Sequence, residues 1–305
     1  MSNESFVELE IYVPASPHPF FYNMIRCQAA SLRTFGGVAS NAKYVVLIGD
    51  LKANPHILNE LPWSKDLNIE WRCINPEIYA RHGIVGTMLS RFSQDFSDNS
   101  MVLMLDADVL ITNDLKPLLN YPCCFAGLPA HFSPFTELQW DYLFEKLDIL
   151  KPNKSWKVSY SGIVDVDIER IHPYFNSGVM IASSIYMKLI GSIIFKELKR
   201  VKSIMNNWAM DQIITSLALL ILDIPRCAIP FRFNFPNETK FIKIMPNEFS
   251  EIKLLHYLRS NKQFNRFNVF KSNIGLKEFL YKSDLVGINA FFQNKLLSLK
   301  HLIID

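Results

Sequence analysis

The chain has 305 residues, 49% hydrophobic and 20% charged, enough apolar matter for one sizeable core in one large domain or one domain plus an appendage. From Glu251 onward nine Lys or Arg face four Asp or Glu, so the net charge of +3 leaves the first 250 residues at −2, and so weak a basic balance argues against a nucleic-acid partner. Five cysteines (Cys27, Cys73, Cys123, Cys124 and Cys227) without C-x-x-C spacing argue against a disulfide framework and a structural zinc site.

No apolar stretch approaches the ~20 residues of a membrane span. The opening MSNESFVELEIYV has no basic start followed by an apolar run, so a cytoplasmic protein is expected.

In chain order, the first predicted strand is Val7 to Val13, followed by PASPHPFFYNM. That segment contains no glycine, against the phosphate loop a nucleotidyltransferase would carry there. A second strand is expected over Tyr44 to Ile48. Val85, Met88, Leu89, Phe92 and Phe96 then recur at helical spacing and leave Arg91 off the apolar stripe.

Met101 to Leu105 (MVLML) has the length and continuous apolarity of a strand buried on both faces, and it ends on Asp106, Ala107 and Asp108. A fourth strand is expected over Cys124 to Leu128. Pro129 to Pro173, rich in aromatic, Pro, Ser and Asp residues without a steady period, reads as a long excursion over the substrate face. A strand over Gly178 to Ala182 and helices over Ile190 to Met205 and Met210 to Leu222 follow. After Arg259 the chain turns polar and aromatic, and Leu276 to Ile304 resumes a helical pattern with Lys277, Lys282, Lys295 and Lys300 among apolar residues. The alternation predicts an α/β fold with a mostly parallel central sheet and a basic helical tail that packs on the main domain or meets an anionic membrane surface.

Ligands bind at the carboxyl ends of strands in open α/β sheets, which is where Asp106 and Asp108 fall. Two carboxylates this close are costly to bury bare, and hard oxygen ligands suit Mg²⁺ or Mn²⁺. Alone, D-x-D at a strand end also fits two acids capping a turn. Three later segments accompany it: YFNSGVM (Tyr174 to Met180), AMDQI (Ala209 to Ile213) and LLHYLRSNK (Leu254 to Lys262).

In this order the segments resemble the GT-A nucleotide-sugar glycosyltransferases, most closely glycosyltransferase family 8, whose members are retaining enzymes. The resemblance runs from about Glu8 to Lys262. It implies a Rossmann-like GT-A domain over residues 1–262, with 129–173 as an acceptor-side excursion and 263–305 as the tail. It also implies Asp106, Asp108 and His256 as metal ligands and a nucleoside-diphosphate sugar as donor, a UDP-sugar by preference. An imidazole beside two carboxylates favours Mn²⁺ over Mg²⁺.

By the same resemblance Lys262 meets the leaving diphosphate, Asp211 and Asn176 meet donor-sugar hydroxyls, and Gln212 lies beside the reacting carbon. Tyr12, Pro14, Ala15 and Ala107 hold the base and ribose edge, with Arg91 on phosphate or on Asp106. The alternatives for these residues are ordinary: a buried histidine, a solvated lysine, a core tyrosine, a structural ion pair, a helix-start acid. Two departures bear on the diphosphate pocket, because Arg259 stands where the family has a glycine and Gln263 where it has a proline.

The function expected is a metal-dependent glycosyltransferase acting on a glycan or lipid-linked acceptor. Retention would then be a front-side displacement, since no carboxylate nucleophile can be named, while an acid between Asp141 and Asp167 could serve an inverting enzyme as general base. The alternative is a non-catalytic sugar-nucleotide or glycan-binding protein on the same fold.

Overall fold

The computed structural model describes residues 8–49, 61–121, 124–130, 133–152, 156–157, 170–171 and 174–304. The strands are β1 Leu9–Ala15, β2 Lys43–Ile48, β3 Ile69–Cys73, β4 Met101–Leu105, β5 Val109–Ile111, β6 Phe125–Pro129, β7 Trp156–Lys157, β8 Arg170–Ile171, β9 Phe175–Ser183, β10 Arg226–Ala228, β11 Phe235–Pro236 and β12 Leu254–His256. The helices are α1 Pro19–Phe35, α2 Trp63–Asp66, α3 Pro76–His82, α4 Ile84–Leu89, α5 Glu137–Leu147, α6 Ser184–Ile204, α7 Met210–Ile221, α8 Lys240–Ile244, α9 Pro246–Ser250, α10 Arg266–Phe270, α11 Asn273–Leu280, α12 Gly287–Ser298 and α13 Lys300–Ile303.

The central sheet has the order β10-β6-β9-β4-β1-β2-β3. β9 runs antiparallel to both its neighbours, and the other pairs are parallel. The expected mostly parallel α/β sheet is therefore present. Both faces of β1 and β4 are buried, so neither strand alternates polar and apolar residues; β4 is an unbroken apolar run, while β1 carries the buried Glu10 within its own.

The antiparallel β9 matters for the site. Val179 stands opposite Leu105, so the amino end of β9 reaches the edge at which β4 ends. A second, three-stranded sheet β11-β12-β5 continues from that edge, with β12 antiparallel to β5 and His256 opposite Val109.

Several elements differ from expectation. β1 begins two residues later than predicted, and β9 starts at Phe175 rather than Gly178. The helix expected across Val85 to Phe96 closes at Leu89 and tightens into a 3₁₀ turn over Ser90–Ser93. Gln94 is already extended there, and Phe96 is buried from the following loop. The excursion 129–173 contains α5, nucleated by a capping box in which Thr136 and Gln139 bond each other's backbone. Most of 153–173, with the expected acids Asp165 and Asp167, lies outside the described residues.

The stretch 263–304 packs into the same core as the sheet. The Tyr257 ring stacks on Phe292 at 4.7 Å and on Phe270 at 5.2 Å, and Phe264, Leu276, Phe279, Leu296 and Ile303 are buried with them. Helix α1 holds this stretch by backbone carbonyls: Asn23 Nδ2 donates to Phe270 and Arg26 Nε to Leu302, each at 2.8 Å. Among the described residues, no helix is long and apolar enough to cross a membrane.

Candidate functional site

The β4–β5 corner carries the paired acids, and its backbone is held from three sides. Asp106 N donates to Gly178 O of β9 at 3.0 Å, and Tyr257 N after β12 donates to Asp108 O at 2.9 Å. From α1, the fully buried Gln28 donates through Nε2 to Asp106 O at 2.9 Å and Val109 O at 2.6 Å, while Tyr44 of β2 donates to its Oε1. An Asp-rich corner so bonded is preorganised before anything binds. Gln28 was not foreseen; a lone glutamine in a helical stripe gives no signal of where its amide points.

The register of β12 on β5 brings His256 over this corner. His256 Nε2 lies 3.2 Å from Asp108 Oδ1, and one ligand atom from each of Asp106, Asp108 and His256 falls within 4.8 Å of the others. Two carboxylates and an imidazole at that spacing could hold a divalent metal ion.

The far side of the imidazole is fixed as well. His256 Nδ1 sits 2.9 Å from Asn234 Oδ1, and Asn234 Nδ2 donates to Asn176 Oδ1 at 2.9 Å. An amide oxygen can only accept, so Nδ1 carries the proton and Nε2 faces the acids. Asn176 Oδ1 also accepts from Gly178 N, so its free valence toward a ligand is the amide NH₂.

Charge is balanced tightly here. Burial pushes Asp106 up to about 6 against the opposing pull of Arg91, whose Nη1 lies 3.3 Å away. Burial also acts to raise Asp108, but His256 and Arg266 outweigh it and hold the carboxyl below its ordinary value. Burial works to lower His256, and Asp108 overcomes it and raises the imidazole. Arg266 Nη1 of α10 pairs directly with Asp108 Oδ2. Nothing in the sequence pointed to Arg266, because its partner stands 158 positions away.

Arg91 is only 1% exposed. It donates through Nε to Met88 O and through Nη1 to Leu105 O, Ser177 O and Asp106 Oδ1. It lies off the apolar stripe, as expected, yet is buried, its guanidinium among carbonyls of α4, β4 and β9. Asp211, at the first turn of α7, is raised by burial, opposed by Arg91 and by a hydrogen bond from Ser177. Gln212 follows it, half-buried.

The remaining expected residues are spread more widely. Tyr12 is fully buried, donates to Glu10 Oε2 and meets the Phe96 ring edge-on, so the structure does not bring its ring to the site surface. Pro14 and Ala15 end β1 and are buried at the same sheet edge, and Ala107 O accepts from the Tyr257 hydroxyl at 3.3 Å. Lys262 is exposed at the tip of a turn closed by Asn261 N donating to Phe264 O, and it lines a cavity of about 570 Å³ with Asn237, Lys240 and Arg259. Arg259 sits without a positive φ, its backbone clipped on both sides by Asn237, so a side chain here costs the turn no strain. The inverting alternative's Asp141 is paired with Lys151 at 2.7 Å.

No protein-family model matches the chain, and no curated protein matches it. Solved structures do. A galactosyltransferase, LgtC, in complex with donor and acceptor sugar analogs, superposes with a TM-score of 0.56 at 16% identity, covering 94% of this chain and 99% of the other. The glycosyltransferase GlyE of Streptococcus pneumoniae TIGR4 gives 0.54 at 15% identity over 97% of this chain and 62% of its own. Mouse xyloside xylosyltransferase 1 gives 0.50 at 10% identity over 83% and 97%. At such identities the likeness is one of architecture, and the chain has the α/β fold of the GT-A glycosyltransferases.

Proposed function

We propose that the protein is a metal-dependent glycosyltransferase of the family 8 type, moving a sugar with retention from a nucleoside-diphosphate donor, UDP by preference, to a glycan or lipid-linked acceptor. The observation that carries this reading is the convergence of Asp106, Asp108 and His256 at the carboxyl edge of a GT-A sheet. The donor set of two hard oxygens and one imidazole suits Mn²⁺ and accommodates Mg²⁺. A bound cation would supply charge stabilisation to the diphosphate as the glycosidic bond breaks.

The chain's own residues do the rest. Asp106 and Asp108 present oxygens from a corner that Gln28, Gly178 and Tyr257 keep rigid. Asn176 donates its free amide hydrogens to a sugar hydroxyl, while Asp211 and Gln212 stand at the first turn of α7 to orient the donor sugar. Lys262 adds positive charge for the diphosphate from its turn. In the transfer the bond between the anomeric carbon and the diphosphate oxygen breaks. The acceptor oxygen bonds to that carbon from the same face, and its proton passes to the departing diphosphate. Residues 1–262 with the excursion 129–173 would form the catalytic and acceptor-facing unit.

A thermal-shift panel of nucleoside diphosphates and sugar nucleotides, with and without Mn²⁺, on wild type and Asp108→Ala tests the reading. Stabilisation that needs both metal and Asp108 is expected, followed by release of the matching diphosphate on adding acceptor glycans. Absence of any metal-dependent nucleotide shift overturns it, and binding without turnover over a broad acceptor panel returns the protein to the non-catalytic alternative.

A further inference from the structure

Arg266 opens α10, ten positions beyond His256. Its Nη1 and His256 Nε2 divide the two oxygens of Asp108 between them, the guanidinium on Oδ2 and the imidazole on Oδ1. The guanidinium carbon also lies 5.9 Å from the centre of the Phe20 ring, and the side chain keeps 31% of its surface open. Its placement is not left to a mobile end: α1 bonds the carbonyl of Phe270 at the close of α10, and the same helix grips the Asp106 to Val109 corner through Gln28. One rigid element therefore fixes the distance between Arg266 and the paired acids.

Resting on the function proposed above, we infer that Arg266 is a diphosphate-binding residue, yielding Asp108 Oδ2 to the divalent cation and turning its guanidinium onto oxygens of the leaving diphosphate. A guanidinium and a metal ion cannot both sit on one carboxylate oxygen without repelling each other. A cation held by Asp106, Asp108 and His256 would draw a diphosphate to this corner, within the sweep of a side chain already reaching Asp108. A planar fork of donors matches two phosphate oxygens at once, where Lys262 offers only a point charge from an exposed turn. Arg266 would thus supply, from the tail, positive charge to a pocket whose wall is altered by Arg259 and Gln263.

Calorimetric titration of the full chain with Mn²⁺ alone, and then with inorganic pyrophosphate at saturating Mn²⁺, tests this without depending on the base of the donor. In Arg266→Ala the pyrophosphate affinity is expected to fall about 10- to 100-fold while Mn²⁺ alone binds at least as tightly as in wild type. Arg266→Lys should lie between. Unchanged pyrophosphate affinity in Arg266→Ala overturns the inference. So does a joint loss of both affinities with a lower melting temperature, which marks Arg266 as a brace for Asp108. If wild type itself shows no Mn²⁺-dependent pyrophosphate binding, the functional reading falls together with it; binding in wild type that the variants leave intact removes the inference alone.

Discussion

The His256 ring lies against the α-carbon of Gly178: a Cβ at position 178 would stand 2.4 Å from Cε1 and 2.8 Å from Nδ1. The glycine of the F-N-S-G-V segment is therefore space for an imidazole, and β9 and β12 meet through it.

Gly178→Ala should accordingly act on the ring. The backbone at 178 is open to any residue, since its φ is not positive, so the cost is steric alone. Displacing His256 is expected to weaken Mn²⁺ binding about 10- to 100-fold and to lower stability by about 1–3 kcal/mol. Calorimetric titration and thermal melts would show both. Wild-type Mn²⁺ affinity in a folded Gly178→Ala protein would mean that the imidazole is not a ligand.

Asn234 is the next link. Buried at 4% exposure, it accepts from His256 Nδ1 and donates to Asn176 Oδ1, so one amide sets both the histidine tautomer and the asparagine's orientation. Asn234→Leu keeps the volume and removes both bonds. A loss of about 10-fold or more in Mn²⁺ affinity is expected with Asp106, Asp108 and His256 all intact. An unchanged affinity would show that strand register alone fixes the ring.

The sequence made some of this legible and hid the rest for physical reasons. Met101–Leu105 announces a doubly buried strand because both its faces are apolar, and the acids after it mark the edge. His256 was visible only through its place in an ordered set of motifs, since β12 is three residues long and pairs with a strand far away in the chain. Two-residue β11, which leads out of Asn234, has no periodicity to read. Arg266, Gln28 and Asn234 work across gaps of 158, 78 and 22 positions, and composition or spacing cannot report such contacts. Helix α5 was missed because its amphipathic run is short and sits among prolines and aromatics, although the Thr136 and Gln139 capping box was there to be read.

Arg91 gives a stability prediction distinct from the metal site. Its guanidinium is buried with Asp106 and Asp211 as its acidic neighbours and carbonyls of β4 and β9 as further partners. Removing it leaves a buried carboxylate without its cation, so Arg91→Met should cost about 3–5 kcal/mol. Arg91→Lys, which keeps the charge but offers one nitrogen where Arg91 uses Nε and Nη1 for four acceptors, should cost less. Chemical denaturation of the three proteins checks the order. Equal stability of wild type and Arg91→Met would show that Arg91 is not the structural pair described.

The site's protons set the pH dependence, and the groups act in different directions. His256 is raised above its ordinary 6.5 by Asp108, so its stabilising contribution is complete below 6.5 and is lost as pH climbs through the raised value. Asp108 is held below its ordinary 3.8, so its contribution is complete above that and is lost only in stronger acid. Asp106, pushed up to about 6, ionises at a cost to the fold between 3.8 and about 6. A cation needs both carboxylates ionised and the imidazole neutral, so binding drives protons off Asp106 and His256. Apparent Mn²⁺ affinity is therefore expected to rise with pH, with a release of up to about two protons per ion below pH 6, where both groups are protonated. The melting temperature without metal should fall above pH 6.5 as His256 loses its charge. Titrations in two buffers of different ionisation heat, with melts at matched pH, measure both trends. A flat affinity profile with no proton release would remove His256 from the ligand set, whereas a profile that stays steep in His256→Gln would assign the proton to Asp106 instead.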